Sequence, residues 1–99
     1  MPKPLTLMPR AAEDAAAAAD WYETERAGLG SKFRAALRAC YESVEFAPES
    51  YPVVYQDFRQ ALLKTFPYGV YFRVLDDAVY VHRVIHHSRH PRNWQQGLN

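Results

Sequence analysis

The apolar and polar positions divide the chain into two regimes: helical spacing between residues 11 and 46, and alternation with a period of two between residues 59 and 86. From Ala11 to about Ala27 an alanine-rich segment has strong helix propensity, and Ala11, Ala15, Ala18 and Tyr22 share one face with Ala19 at its border. Glu13 and Asp14 stand near its start, where the helix dipole favours negative charge. Gly28 and Gly30 break the pattern. A second helix follows, in which Phe33, Ala36, Leu37, Cys40, Tyr41 and Val44 form the cleanest stripe in the chain, and Pro48 stops it by about Phe46. So short a connection makes the two helices an antiparallel hairpin, because neither can bury its stripe alone.

The second regime reads as strands. Leu5 to Met8 is a short edge strand ahead of Pro9, and Val53 to Tyr55 another short one. Three longer runs follow, Arg59 to Phe66, Val70 to Leu75 and Val79 to Ile85, separated by Pro67-Tyr68-Gly69 and by Asp76-Asp77. Strand geometry puts Val70, Phe72 and Val74 on one face and Tyr71, Arg73 and Leu75 on the other. In the last strand Val79, Val81 and Ile85 fall together with Arg83 interrupting them, opposite Tyr80, His82, Val84 and His86. The predicted fold is therefore α+β: an N-terminal strand, then a helical hairpin packed on one face of a small, mainly antiparallel sheet. The other face, mixing Tyr, Arg, His and aliphatic residues, is left for a partner.

At 99 residues one domain spanning residues 1–99 is expected, with a core of modest size. No run approaches the roughly 20 apolar residues of a membrane span, and no signal-peptide pattern opens the chain, so a cytoplasmic location is expected. The single cysteine, Cys40, cannot form an internal disulfide and lies on the apolar stripe, which assigns it to packing. Net charge is only +1, but its distribution is uneven. Residues 1–50 hold six basic and eight acidic side chains, residues 51–99 six and three, and after Asp77 there is no acid at all. That basic end, which carries all four histidines, suits an anionic partner or is simply a solvated tail. His86, His87 and His90 lack the spacing of a metal site, so neither a metal nor any other cofactor is expected.

Trp21-Tyr22, Gly30 with Phe33 and Leu37, Pro48, Leu62-Leu63 before Phe66-Pro67-Tyr68, Tyr71, Val74, and finally His86 with Arg89, Pro91 and Trp94 stand in an order and spacing that is fairly specific. With them the chain resembles, over almost its whole length, the RelE/ParE superfamily of toxins from bacterial type II toxin-antitoxin systems, in the group of plasmid stabilisation proteins. The resemblance implies a small growth-inhibiting toxin of that fold, held in a hetero-oligomer by a cognate antitoxin. It leaves the target open, since relatives of the RelE kind cut messenger RNA on the ribosome whereas those of the ParE kind poison DNA gyrase.

Cleavage through a ribose 2′-hydroxyl needs an acid, a base and cations. Arg73 with His86 or His87 would be the catalytic set if the chain is a nuclease, with Arg59, Lys64 and Arg83 as further phosphate contacts. Against that, a chain of charge +1 gains little long-range attraction to RNA, and His86 also occurs in relatives of the ParE kind. Inhibition of a protein target such as gyrase is therefore the preferred expectation, ahead of RNA cleavage and of an inactive interaction module. The candidate target-binding or phosphate-binding surface comprises Arg59, Tyr71, Arg73, Arg83, Arg89 and Trp94. Each has a plainer role beside it: Arg73 can pair with a carboxylate, His86 and His87 can hydrogen-bond within the fold, and Trp94 can anchor the tail. For the antitoxin, a helix lying along the helical hairpin and an extended segment added to a sheet edge are the expected modes.

Overall fold

The computed structural model describes residues 3–88 and, beyond them, Gln95. Strand β1 (Leu5–Leu7) leads into helix α1 (Pro9–Glu25) and helix α2 (Leu29–Phe46). A 3-10 turn at Pro48–Ser50 precedes β2 (Val53–Tyr55), β3 (Phe58–Leu62), β4 (Tyr68–Val74) and β5 (Val79–His86). The strands form one sheet in the order β1-β5-β4-β3-β2, in which only the β1–β5 pair is parallel. The helices lie together on one face. The architecture is thus the α+β arrangement predicted from the sequence.

Proline fixes where α1 begins, since at the first helical position its missing N–H costs nothing. Ala11, Ala15, Ala18, Ala19 and Tyr22 are buried as the stripe requires. In α2 the buried residues are Phe33, Leu37, Cys40 and Val44, with Ala36 and Tyr41 partly buried beside them. The hairpin closes through one carboxylate. Glu23, near the end of α1, accepts hydrogen bonds from the amides of Gly28 (2.9 Å) and Gly30 (3.0 Å), satisfying donors that the start of α2 would otherwise leave without partners. Gly28 has φ 87°, a left-handed value suited to glycine, and a Cβ on Gly30 would lie 2.6 Å from the Ala19 carbonyl oxygen. The helices come this close because Gly30 carries no side chain.

The alanines of α1 provide little volume, so the core is filled from the other side by rings. Tyr22 stacks on Phe33 with centroids 5.3 Å apart, and Phe66 and Tyr68 pack edge-on against both. This explains a boundary where sequence and structure part. Arg59 to Phe66 was expected to be a single strand, but β3 ends at Leu62 because the chain turns Phe66 inward to the helix side. Thr65, at φ 66°, makes the turn, and the Leu63 amide donating to the Tyr68 carbonyl closes it. Tyr68 and Gly69, expected in a turn, belong to β4.

A second departure lies in β5. Opposite β4 the register runs Tyr71↔Arg83 and then Phe72↔Val81, so His82 is an extra residue in a β-bulge. A bulge resets the alternation of faces. Val79, Val81 and Val84 all reach the helix-side core, whereas Ile85 joins Phe58 and Tyr71 in a smaller cluster apart from it. The expected grouping of Ile85 with Val79 and Val81, and of Val84 with His82, is thereby exchanged.

Beyond Val81, β1 no longer pairs with β5, and the Asp14 carboxylate stands in for the missing strand. Its Oδ2 accepts from the Val84 amide (3.0 Å) and from Arg83 Nε (2.7 Å), and its Oδ1 from Arg83 Nη2 (3.2 Å). Asp14 was expected to act on the helix dipole; instead it binds α1 to the last strand. Arg83 is 4% exposed, so this pair is shielded from water. Among the described residues no helix is long and apolar enough to cross a membrane.

Two substitutions test these contacts. Gly30→Ala is expected to destabilise the fold by about 1–3 kcal/mol through overpacking against Ala19, measured by chemical denaturation. Asp14→Ala should cost about 3–5 kcal/mol because it strands a buried guanidinium, while the double change Asp14→Leu with Arg83→Met recovers most of that loss. Equal costs for the single and double variants would show that the pair does not act as a unit.

Candidate functional site

The residues expected to form one basic surface divide into three groups. Arg59 and Arg83 are committed inside the fold. Arg59 Nη1 donates to the carbonyls of Tyr51 (2.6 Å) and Glu49 (3.2 Å), tying the segment before β2 to β3, and Arg83 is spent on Asp14. Tyr71 is 3% exposed, and its hydroxyl accepts from Gln60 Nε2 at 2.8 Å. Burial pushes its phenol up from the ordinary value of 10.0, the Gln60 hydrogen bond opposing the shift, so it remains protonated and packed. Tyr71 and Arg83 are buried and Arg59 is half-buried and tied to backbone carbonyls, and the alternation that put them on strands could not reveal it. Arg89 and Trp94 lie outside the described residues.

His86 and His87 form the second group, at the end of β5. His86 packs edge-on against the Tyr68 ring, centroids 5.1 Å apart, and its Nδ1 accepts from the Ser88 amide at 3.0 Å. That is the intramolecular role weighed for it from the sequence. His87 is exposed, with its backbone amide donating to the Pro67 carbonyl.

Arg73 stands at the centre of the third group, and here the sequence reading missed its partners. Its side chain is 35% exposed, Nε donates to His82 Nε2 at 3.3 Å, and Nη1 lies 3.8 Å from Asp57 Oδ2. The guanidinium lies over the Phe58 ring, 5.4 Å from its centroid, and the same ring meets His82 edge-on at 5.1 Å. Burial and the neighbouring Arg73 charge hold His82 below the ordinary histidine value of 6.5, Asp57 opposing them, so the imidazole is neutral near pH 7 and free to accept. The only sequence signal for this cluster was the shared alternation of Arg73 with Tyr71 and of His82 with Tyr80. Because Tyr80 pairs with Arg73, that alternation sets His82 on the Arg73 face, but the approach of Phe58 and Asp57 has no signature in the residues themselves.

These groups do not converge. Arg73 pairs with Tyr80 across the β4–β5 ladder and His86 with Tyr68, so five steps of β4 separate them, about 17 Å at roughly 3.4 Å per residue. An odd number of steps also changes face, and the contacts agree: Arg73 sits over Phe58, whereas His86 packs on Tyr68 of the helix-side core. Among the described residues no group of three or more His, Cys, Asp or Glu side chains is placed to hold a metal ion. Cys40 is buried, and burial raises its thiol to about 11, as suits a packing residue.

Two apolar features complete the surface. A groove along α2, lined by Ala39, Ser43, Tyr51, Leu62 and Lys64, is rimmed by Phe46 and Leu62, which are 81% and 55% exposed. Beside it β2 ends the sheet with Val53 and Val54 exposed. Both are docking features of the kind that helices and extended segments use.

Among solved structures, a chain of the chromosomal ParDE TA system from P. aeruginosa matches with TM-score 0.68 at 21% identity, covering 85% of this chain and 95% of that one. At that identity the likeness concerns the fold. A comparison with curated proteins finds no match. The family model of the ParE toxin of type II toxin-antitoxin system, parDE, matches residues 5–91, from the first strand through the histidines at the end of β5. With the strand order, the helical hairpin and the sequence match all in agreement, the chain belongs to the ParE toxin family of type II toxin-antitoxin systems.

Proposed function

We propose that this chain inhibits growth by binding a protein target such as DNA gyrase in the cytoplasm, and that a cognate antitoxin encoded with it neutralises it in a toxin-antitoxin hetero-oligomer. The observation that carries this reading is the separation of Arg73 from His86. Ribose-directed cleavage requires cation, acid and base around one phosphate, within hydrogen-bond reach of it. Here Arg73 and His86 are about 17 Å apart along the strand and on different faces, at roughly 3.4 Å per strand residue. A net charge of +1 likewise favours a protein surface over RNA. The partly exposed Arg73, backed by Phe58, is the side chain we assign to the target.

The antitoxin is assigned to the groove of α2 and the neighbouring β2 edge. An amphipathic helix would cover Leu62 and Phe46 and bring an acidic residue to Lys64, while an extended segment pairs with Val53 to Tyr55.

Two measurements test the proposal. Purified toxin should inhibit supercoiling by isolated gyrase or trap it on DNA, with the effect weakened by Arg73→Ala; cleaved messages on translating ribosomes, with gyrase unaffected, would establish the nuclease reading instead. Leu62→Asp should weaken binding to the protein encoded beside the toxin by about tenfold or more, as truncation of a central apolar contact does. Its melting temperature should stay close to that of the parent, because Leu62 is an exposed residue.

A further inference from the structure

Arginine carries five donors and no acceptor, so a guanidinium is held in one pose only by acceptors and by packing. Arg73 has one of each close by: the Phe58 ring beneath it and His82 Nε2 at 3.3 Å, with the Asp57 carboxylate farther off at 3.8 Å and 64% exposed. A long side chain in contact with water alone would spread over many rotamers. The extra residue of the β5 bulge is the one that supplies the acceptor.

We propose that His82 is a positioning residue for Arg73: through Nε2 it fixes the half-exposed guanidinium in the pose that meets the target. The proposal rests on the reading of Arg73 as a target contact. Arg73 on β4 and Asp57 in the turn before β3 are the charged groups that face His82. Tyr80, two residues earlier on β5, is engaged with Asp77, and Tyr71 with Gln60. Protonation would put an imidazolium beside the guanidinium, remove the acceptor and leave only the distant, exposed Asp57 to hold it. The pose is therefore kept at neutral pH and lost as pH falls through the value of the folded imidazole.

Nitrogen-15 NMR on the full chain tests the contact directly. The Arg73 Nε–H signal is expected to be exchange-protected at neutral pH and to vanish with the midpoint of the His82 imidazole titration, below 6.5. His82→Gln, whose amide oxygen accepts at any pH, should preserve the signal in acid, and His82→Ala should lose it throughout. In a growth assay His82→Ala should reduce toxicity about tenfold, the worth of a charge-assisted hydrogen bond, with His82→Gln restoring it and all variants equally folded. A signal indifferent to His82→Ala overturns the proposal. So does full toxicity of His82→Ala where Arg73→Ala is harmless. Full toxicity of Arg73→Ala with the NMR coupling intact sinks instead the target-contact reading, and with it the functional role assigned to His82.

Discussion

The Asp14 carboxylate is the contact on which the rest of the molecule depends. It meets Arg83 and the Val84 amide together, and so joins the first helix to the last strand across about seventy residues of chain. A buried guanidinium without a partner is costly, so the pair fixes where α1 crosses the sheet more firmly than its alanine stripe can, since methyl groups offer little shape to choose one register over another. Once α1 is placed, Glu23 places α2, and the rings of Tyr22, Phe33, Phe66 and Tyr68 fill the space that remains. The order of dependence runs from one ion pair to a hairpin to a core.

The same commitment shapes the surface. Of the cations that the strands carry, Arg59 and Arg83 serve as internal fasteners, Arg59 on the carbonyls of Tyr51 and Glu49 and Arg83 on the Asp14 carboxylate. Arg73 differs in its partners. On one side it has an aromatic platform and an imidazole, on the other solvent, and that asymmetry is why we propose it as the target contact.

How far this was legible in the sequence follows from which interactions are periodic. The stripes of α1 and α2, the stops at Gly28 and Pro48, and the existence of every strand follow from spacing, because burial acts on each element in the same way along its length. The face exchange at His82 does not, since a bulge is a decision between two strands and neither strand encodes it alone. The early end of β3 is similar: Phe66 reads as a strand residue until the rings of Tyr22 and Phe33, from the two helices, are known to pack on it. For the site, arginine is equally suited to a carbonyl, a carboxylate or a target, so the sequence could nominate Arg59, Arg73 and Arg83 but not sort them. Tertiary pairing between residues 8 to 69 apart did the sorting.

The place of β1 has a kinetic corollary. Leu5–Leu7 is the first strand along the chain, yet it pairs with Val79–Val81 of the last, so its ladder closes the longest loop in the molecule. Ordering entropy must be met before such a contact contributes anything. During synthesis the first strand and the helix behind it can find their sheet position only after nearly the entire chain has emerged. The helical hairpin, whose contacts are local, is free to form well before, waiting with its apolar stripe unburied for the final strand to arrive.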